Sequence, residues 1–491
     1  MTALQAVHEN ESARWVDLDK VKINPAFAML LAAPDARRAR ALPLCKVADE
    51  LIVATSQENF EQARAHLAPL LKTSFRLVQV EEALLRKQLA RTYPRTQDSS
   101  VQDSETKIVQ LCFDLLSVAS QRGASDIHIV PGDCKTEINF RVDGVLETYR
   151  HLTQSQHAGI VNRFKVLAGL NIAEKREPQD GRFSMPRQVG QSKTDIRVAT
   201  IPTRFGERIT LRLLTPLSSP SLQDLGMSEA DHQRFSSAIQ QPNGLILLSG
   251  PTGSGKSTTL YTAIKEIQRS RGGNIITIED PIEYEIEGVT QIEVDVHSKV
   301  SFARALRSIL RHDPDVIMLG EIRDAETADL AIKAALTGHL VLSTLHTNTA
   351  AGVVTRLMDL GVEPFLISAT LRLAIAQRLV RVLCPNCKTQ VALSSHDSQQ
   401  LGTPELCGHA SWSSNGCVYC SGQGYSGRTA LFEMLAGGRQ LAQLISAEST
   451  EQQLLDFMRQ TGCTSLLDDG CRRILDGSTT TRQVLGSVAV W

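Results

Sequence analysis

A glycine-rich string that follows an apolar run limits how this chain can fold more than any other feature. The run Leu245-Ile246-Leu247-Leu248 leads into Gly250-Pro251-Thr252-Gly253-Ser254-Gly255-Lys256-Ser257-Thr258, and apolar residues then recur at helical spacing. A GxxxxGK[ST] string between a strand and a helix is typical of a loop whose backbone N–H groups hold phosphate oxygens. We therefore expect residues 250–258 to bind ATP, with Lys256 on the outer phosphates and Ser257 on Mg²⁺.

Further apolar runs predict the rest of a sheet around that strand. They alternate with helical stretches and cover residues 274–278, 316–319 and 340–344. Continuous short apolar runs are typical of strands that are buried on both faces, so the pattern predicts a mainly parallel sheet covered by helices. The fold class of this part is therefore α/β, with a nucleotide-binding core.

Compositional breaks divide the chain further, because 491 residues are too many for a single hydrophobic core. A polar stretch predicts a linker at 96–107, after an N-terminal domain at 1–95. Helical spacing followed by alternating strands, with Asp143-Gly144 in a hairpin position, predicts an α+β domain at 108–216. We assign the nucleotide-binding core to 217–380, a cysteine-rich subdomain to 381–430 and a helical C-terminal subdomain to 431–491.

Acidic residues at the ends of two predicted strands complete a candidate catalytic site. Glu279 ends one strand, and Glu321 follows another after a single glycine. Ligands of such sheets lie beyond the carboxyl ends of the strands, so both carboxylates should face the outer phosphate. ATP hydrolysis needs one acid to order Mg²⁺ and one to orient water, and the sequence leaves open which residue does which. The competing interpretation is that these acids are solvated or cap the following helices.

Two histidines, His339 and His346, flank the apolar run at 340–344. An isolated histidine is more often a structural residue than a catalytic one, which is the competing interpretation here. The position of His346 at the carboxyl end of the predicted strand makes it a candidate sensor of the γ-phosphate.

Four of the ten cysteines form two CxxC pairs that are typical of a structural zinc site. Cys384 and Cys387 precede Cys417 and Cys420, with 29 residues between the pairs. Two such turns supply four thiolates to one tetrahedral ion, and no open ligand position for catalysis is implied. A redox-active CxxC pair is the competing interpretation, and Cys407 between the pairs is an alternative ligand.

Charge and hydropathy limit the partners of this chain. Its formal net charge is −1, so the chain as a whole lacks the basic surface expected of a nucleic-acid motor. Residues 1–11 lack the basic and apolar segments of a secretory signal peptide. The apolar run at 26–33 is shorter than the roughly 20 residues that span a bilayer. We therefore expect a cytoplasmic protein that binds no nucleic acid and meets membranes only through partner proteins.

Taken together, these motifs resemble the secretion ATPases of the type II secretion and type IV pilus systems. The strings GPTGSGKSTTLY, ITIEDPIE, DPDVIMLGEIRD and TGHLVLSTLHTN occur in the family's order and approximate spacing, and the likeness spans about residues 105–491. The tetracysteine insert and the string GYSGRTALFE that follows it belong to the same family pattern.

The resemblance implies a RecA-like P-loop ATPase core, preceded by a PAS-like second N-terminal domain. Members form homo-hexameric rings whose paired domains move as ATP is hydrolysed. They turn a polytopic inner-membrane platform protein that assembles pilin-like subunits. Their first N-terminal domain docks on the cytoplasmic domain of a bitopic inner-membrane protein. The resemblance therefore places this chain at the periphery of the inner membrane through such partners.

Two arginines are assigned a role by the resemblance alone. Segments 124–129 and 174–182 match the family's second N-terminal domain, in which two arginines reach the nucleotide of the neighbouring subunit. The matching positions here are Arg197 and Arg212. A guanidinium is suited to the charge that develops on a transferring phosphoryl group. The competing interpretation is that both arginines form surface ion pairs.

Four functions are compatible with these motifs to different degrees. The first is a motor for type II secretion, and the second is a motor for type IV pilus extension or DNA uptake, whose ATPases share every motif above. The third is a helicase or conjugation ATPase, against which the near-neutral charge argues. The fourth is a scaffold without hydrolysis, which would need no combination of Lys256, Ser257, Glu279 and Glu321. The N-terminal domain favours type II secretion over the pilus.

Overall fold

The computed structural model describes residues 15–488, apart from 22, 24, 29, 72, 94–102, 186–193, 215–219 and 295–300. Most of the linker predicted at 96–107 lies outside the described residues, and the part from residue 103 onward is helical instead. The chain divides into two compact units. The first comprises residues 1–215 with 383–389 and 413–426, and the second comprises 216–382, 390–412 and 427–491.

An N-terminal domain begins the first unit. Its elements are α1 (Pro25–Ala28), α2 (Ala33–Ala39), β1 (Ala41–Val47), β2 (Glu50–Thr55), α3 (Phe60–Leu67), β3 (Phe75–Gln79) and α4 (Glu82–Thr92). Strand β2 pairs antiparallel with β1 and parallel with β3. Leu42, Leu44, Leu67 and Leu85 are fully buried in one core, so the helices and the sheet share a single apolar interior.

The α+β domain predicted at 108–216 is built on an antiparallel sheet. Its elements are α5 (Asp103–Gln121), β4 (Ala124–Pro131), β5 (Thr136–Val142), β6 (Val145–Leu152), α6 (Gln154–Leu167), β7 (Gln179–Met185), β8 (Thr194–Thr203) and β9 (Gly206–Leu214). The strand order is β6-β5-β4-β9-β8-β7. The predicted hairpin turn is present, because Asp143 and Gly144 take φ of 48° and 83° between β5 and β6.

The second unit contains the predicted nucleotide-binding core. Its elements up to residue 383 are α7 (Glu229–Ile239), β10 (Gly244–Ser249), α8 (Lys256–Ser270), β11 (Ile275–Glu279), β12 (Thr290–Glu293), α9 (Phe302–Ile309), β13 (Val316–Leu319), α10 (Ala325–Leu336), β14 (Leu340–Leu345), α11 (Ala351–Asp359), α12 (Pro364–Thr370) and β15 (Leu371–Leu383). The four strands expected from apolar runs are present, and they adjoin in the order β11-β13-β14-β10. Their pairings are parallel.

Residues of β10 show why this sheet needs continuous apolar runs. Leu245 and Leu247 enter a core on one face, whereas Ile246 and Leu248 enter a separate core on the other. Successive side chains of a strand point to opposite faces, so both faces are covered and every position is apolar. The α/β fold class is therefore confirmed.

The chain beyond residue 383 returns to the same sheet. Its elements are β16 (Lys388–Ala392), α13 (Ser395–Gln400), β17 (Ala410–Ser414), β18 (Tyr425–Ala436), α14 (Arg439–Ser446), α15 (Glu451–Gln460), α16 (Leu466–Leu475) and α17 (Thr481–Val488). Strands β15 and β18 extend the sheet beyond β10. The boundary predicted at 380 therefore falls inside β15, and the boundary predicted at 430 falls inside β18. The buried residues of β18 continue to Leu435 before the C-terminal helices begin.

The lengths and charges of the helices decide whether any of them could span a membrane. The longest of those named above, α5, has 19 residues and includes the charged Lys107 and Asp114. In the part of the chain that the structure describes, no helix is both long and apolar enough to pass through a bilayer.

A buried ion pair gives a test of the second domain. Lys165 on α6 is 0% exposed, and its Nζ donates to Glu207 Oε1 at 2.7 Å and to the carbonyl of Glu174 at 2.5 Å. We expect Lys165→Ala to lower the free energy of unfolding by about 3–5 kcal/mol, because the carboxylate of Glu207 would stay buried without its partner. Hydrogen exchange of β9 amides in increasing urea measures this loss.

Lys333→Ala is the matched control for that experiment. Lys333 pairs with Asp329 at 2.6 Å on the surface of α10, where both side chains are exposed. Removing an exposed pair costs about 0.5 kcal/mol or less. Equal losses for the two variants would show that burial does not decide the contribution of Lys165.

Candidate active site and candidate metal centre

The phosphate loop connects β10 to α8, as the motif requires. The hydroxyl of Ser254 is buried and has no hydrogen-bond partner among the described residues. A Cβ added at Gly253 would meet no heavy atom within 4 Å, so there is open space over the middle of the loop. The first turn of α8 adds backbone N–H groups and the positive end of the helix dipole. A buried hydroxyl beside an open cradle fits the phosphates of a nucleotide.

The side chain of Lys256 folds over this loop. Its Nζ donates to the carbonyl oxygens of Gly250 at 2.6 Å and Pro251 at 3.1 Å. Burial lowers the pKa of Lys256 to about 8, and the carboxylate of Glu321 opposes that shift. An anionic phosphate at the loop would stabilise the charged form of Lys256, which makes the lysine a suitable phosphate ligand.

Glu321 and His346 meet beyond the ends of two neighbouring strands. Glu321 follows β13, His346 follows β14, and His346 Nε2 lies 3.5 Å from Glu321 Oε2. Arg323 forms an ion pair with the same carboxylate. The Glu321 side chain is 16% exposed, so it is partly accessible to a ligand or water. The structure thus brings together Lys256, Glu321 and His346, which the sequence had placed at the same edge of the sheet.

Glu279 has a different environment from Glu321. It ends β11, is 3% exposed, and its Oε1 accepts hydrogen bonds from Thr277 Oγ1 at 2.6 Å and Gln291 Nε2 at 3.0 Å. The hydroxyl of Tyr261 on α8 donates to Oε2. The carboxylate therefore links β11, β12 and α8 from inside the protein. Sequence reasoning overlooked Tyr261, although it belongs to the GPTGSGKSTTLY string that carries the resemblance.

The two histidines at the ends of β14 also differ. His339 Nδ1 lies 2.9 Å from the carbonyl oxygen of Ala334, near the end of α10. His346 lies at the opposite end of the strand, and its side chain is 53% exposed. His339 is therefore a residue of the turn between α10 and β14, and His346 is the histidine of the candidate site.

Arg378 is a site residue that sequence reasoning missed. It lies on β15, and its Nη2 donates to the main-chain oxygen of Asn348 at 3.1 Å and to Asn348 Oδ1 at 3.2 Å. A Cβ added at Gly250 would lie 3.1 Å from Arg378 Nη1, so the guanidinium sits directly behind the phosphate loop. Burial lowers the pKa of Arg378. Little in the sequence singles out this residue, because Arg372 and Arg381 lie in the same strand.

The loop that carries His346 is anchored on its other side by two carboxylates. Glu433 on β18 is buried and accepts from the backbone N–H groups of Ala350 at 2.7 Å and Leu466 at 3.4 Å. Glu451 on α15 accepts from the hydroxyl of Thr349 at 2.5 Å. These bonds connect the residues after His346 to the C-terminal helices. Thr349 is thus bonded directly to α15, and Ala350 is connected through Glu433 to the start of α16.

Arg197 and Arg212 lie side by side in the antiparallel sheet of the second domain. They are register partners on β8 and β9, and Arg212 Nε donates to Asp126 Oδ1 at 2.9 Å. Arg182 on β7 continues the row beyond Arg197. The Arg212 side chain is largely exposed, whereas Asp126 is buried. Both arginines belong to the first compact unit of the chain, and the phosphate loop belongs to the second.

The four predicted zinc ligands converge on one point. Their Sγ atoms all lie within 4.8 Å of one another, with 3.8 Å between Cys384 and Cys417, 3.8 Å between Cys387 and Cys420, and 3.7 Å between Cys417 and Cys420. A tetrahedral ion with Zn–S bonds of about 2.3 Å needs sulfur atoms about 3.8 Å apart. The backbone N–H groups of Cys417 and Gly424 donate to Cys420 Sγ. The residues therefore fit a Zn²⁺ ion.

The alternatives for the cysteines are less compatible with this geometry. Sulfur atoms 3.7 to 3.8 Å apart are well beyond the S–S bond length of about 2.05 Å, so the structure contains no disulfide here. Cys407 is exposed and does not belong to the cluster that the described residues form. A tetracysteine site from two turns remains, as the spacing predicted.

Comparison with known proteins adds the family. Residues 101–486 match the type II/IV secretion system protein family. The chain is 43% identical over 462 residues to type II secretion system protein E of Pseudomonas aeruginosa. The aligned residues cover 93% of this chain and 89% of that protein. It is 39% identical over 498 residues to the type II secretion system ATPase E of Vibrio cholerae, covering 93% and 98%.

A solved structure supports the same placement. The chain resembles the crystal structure of the pilus retraction motor PilT with bound ADP, with 28% identity and a TM-score of 0.54 over 76% of this chain and 95% of that one. The family match covers well over half of the residues, and the relatives span nearly the whole chain. Strand-end acids, phosphate loop and tetracysteine cluster all lie within the matched region, and the chain therefore belongs to the type II/IV secretion system protein family.

Proposed function

We propose that this chain is the ATP-hydrolysing motor of a type II secretion system, acting as a homo-hexamer that powers pseudopilus assembly. The observation that carries the proposal is the 3.5 Å approach of His346 to Glu321 at the sheet edge where β10 leads into the phosphate loop and Lys256. Relatives of 39–43% identity that span most of the chain are named as type II secretion proteins, and one is named as an ATPase. Type IV pilus extension is the second candidate, and the likeness to the pilus retraction motor PilT supports a pilus-related motor without favouring extension over retraction.

Each residue of the site has a distinct part in the proposed reaction. Residues 250–258 hold the phosphates through backbone N–H groups, and Lys256 neutralises the outer ones. Ser257 would hold Mg²⁺, which would supply positive charge to neutralise the phosphates. Glu321, partly exposed and paired with His346, orients the attacking water. His346 senses the γ-phosphate and passes its position to the C-terminal helices through Thr349 and Glu451.

Glu279 is assigned a supporting part in this scheme. Three donors already occupy its buried carboxylate, so it holds the end of β11 against α8 and β12. The different surroundings of Glu279 and Glu321 support giving these two acids different parts. Glu321 is the residue that we place on the water.

Membrane partners complete the proposal and rest on the family resemblance. The N-terminal domain would bind the cytoplasmic domain of a bitopic inner-membrane protein, and the ring would turn a polytopic platform protein. The motor would then work at the cytoplasmic face of the inner membrane, held there by its partners.

The two acids give the first test. We expect Lys256→Ala to abolish ATP binding and hydrolysis. We expect Glu321→Gln to bind ATP with nearly unchanged affinity while its turnover falls by about 10²-fold or more, because the amide cannot accept the proton of water. Equilibrium binding of a fluorescent ATP analogue and phosphate release measure the two quantities. Normal turnover by Glu321→Gln would remove this residue from the reaction.

Glu279→Gln is the matched comparison. Its amide would turn an N–H group toward donors that now meet an oxygen, so we expect a lower melting temperature. Glu321→Gln should keep the melting temperature of the wild type. If both variants lost turnover with unchanged melting temperatures, the water-orienting role could not be assigned to Glu321 alone.

The proposed sharing of sites between subunits gives a second test. The double variant Arg197→Ala/Arg212→Ala should be nearly inactive, because an arginine that stabilises the transferring phosphoryl group contributes about 10³-fold or more to the rate. Lys256→Ala should be nearly inactive because it lacks an intact phosphate loop. Mixing the two proteins should recover part of the activity, since one supplies intact arginines and the other an intact loop. Arg204→Ala, at the exposed turn between β8 and β9, is the control and should keep the wild-type rate. Absence of recovery on mixing would argue against arginines acting across subunits.

Zinc is the third element of the proposal. The four thiolates fit one tetrahedral ion, whose binding would hold the two cysteine turns together and contribute to folding. We expect the purified protein to contain about one equivalent of zinc under reducing conditions, and Cys417→Ser to contain much less. Elemental analysis measures both. A wild-type content below about half an equivalent would contradict the site.

A further inference from the structure

The cysteine turns occupy an unusual place in the chain. Residues 383–389 and 413–426, which carry the four cysteines, belong to the same compact unit as the N-terminal domain. The segments on either side of them, ending at Val382 and resuming at Gly427, belong to the unit that contains the phosphate loop. The tetracysteine site is therefore connected in sequence to the ATPase core, but it packs within the unit that contains the N-terminal domain.

Residues 417–422, here called the second cysteine turn, make the contacts. A 3₁₀ turn at Val418–Cys420 lies against β1 of the N-terminal domain. Val418 and Tyr419 pack against the core that contains the buried residues of β1 and β2. A Cβ added at Gly422 would lie 2.1 Å from the carbonyl oxygen of Lys46 on β1, so the two backbones touch with no room for a side chain.

Cys45 on β1 lies at this contact. It is 0% exposed, and the next residue, Lys46, is the one whose carbonyl oxygen faces Gly422. Cys45 is not a member of the tetracysteine cluster. A buried thiol next to the metal turn, but not part of it, reports whether the turn stays in place.

We propose that the second cysteine turn is a docking surface for the N-terminal domain of the same chain, and that the bound metal keeps this surface in shape. The inference rests on the zinc site proposed above and goes beyond it. The partner is the edge strand β1 with the core behind it, and the contact consists of Val418, Tyr419 and the backbone of Gly422.

The metal is needed because the docking surface is small and closely fitted. Cys417 and Cys420 are three residues apart, and both would bind the ion that Cys384 and Cys387 also bind. Without the ion, the turn is defined by a few backbone hydrogen bonds, such as that from Gly422 N–H to the carbonyl oxygen of Cys417 at 2.9 Å, and by weak hydrogen bonds to sulfur. A contact in which backbones meet at Gly422 tolerates little change in shape. Loss of zinc should therefore release β1 rather than merely loosen the cysteines.

The consequence for the motor is a second connection between its working parts. In sequence, the N-terminal domain is separated from the ATPase core by the whole second domain. The zinc turns are extended from strands β15 and β18 of the core sheet itself. Movement of that sheet would reach the N-terminal domain directly, and through it the membrane partner.

Alkylation of Cys45 tests the proposal on the full-length protein. Cys112 is the matched internal control, because it is also buried, at 3% exposed against 0% for Cys45, but lies in the core of the second domain. With zinc bound, both thiols should react slowly. After zinc removal by a chelator, Cys45 should react about tenfold faster or more while Cys112 stays protected. Mass spectrometry of the separate peptides distinguishes them from the zinc ligands.

A glycine pair gives a test that leaves all ligands in place. Gly422 and Gly427 both have φ of +80°, but an added Cβ would strike Lys46 at the first and meet nothing within 4 Å at the second. The backbone strain of an alanine is thus the same at both positions. Gly422→Ala should keep about one equivalent of zinc and expose Cys45, whereas Gly427→Ala should behave as the wild type.

The outcomes separate the two proposals. A protein that binds no zinc would overturn the metal site and this inference with it. A protein that binds zinc but keeps Cys45 protected after chelation, with unchanged hydrogen exchange in β1, would overturn the docking surface alone. Equal exposure of Cys45 and Cys112 on chelation would also overturn it, because zinc loss would then unfold the chain generally.

Discussion

Parallel pairing of β11, β13, β14 and β10 is the constraint on which the site depends. Parallel strands end at a common edge, so residues that follow different strands, and that lie far apart in sequence, must meet there. The phosphate loop, Glu321 and His346 are brought together in this way. The apolar interior on both faces makes this arrangement rigid, since each strand is held by two cores. The chemistry of the edge therefore depends on the burial of residues that take no part in it.

Buried polar groups then set the fine position of the site. Tyr261 and Gln291 hold Glu279, Arg378 holds Asn348 behind the phosphate loop, and Glu433 holds the start of α11. Each is a hydrogen bond inside the protein, where an unpaired partner would be costly. These bonds also connect the site to the C-terminal helices. In the proposed reaction, a change at the γ-phosphate would pass through His346 to these hydrogen-bonded residues.

The tetracysteine insert has a clearer place in such a motor if it is a structural connection rather than an isolated fold element. Its ligands lie in turns that connect to strands β15 and β18 of the core sheet. The second of these turns packs against the N-terminal domain. A metal suits this task because it fixes a short turn that has too few apolar residues to fold alone. A metal-stabilised cysteine turn would then transfer movement of the core sheet to the N-terminal domain.

The sequence by itself determined the strands of the core, the phosphate loop, the strand-end residues Glu321 and His346, and the four cysteines. Local periodicity and fixed motif spacing encode these features directly. Tertiary structure alone distinguished Glu279 from Glu321, because burial and hydrogen-bond partners such as Tyr261 come from other elements. It also revealed Arg378, the extent of β18 and the contact between Gly422 and β1. These depend on which surfaces meet in space, and no pattern within a short stretch of sequence records that.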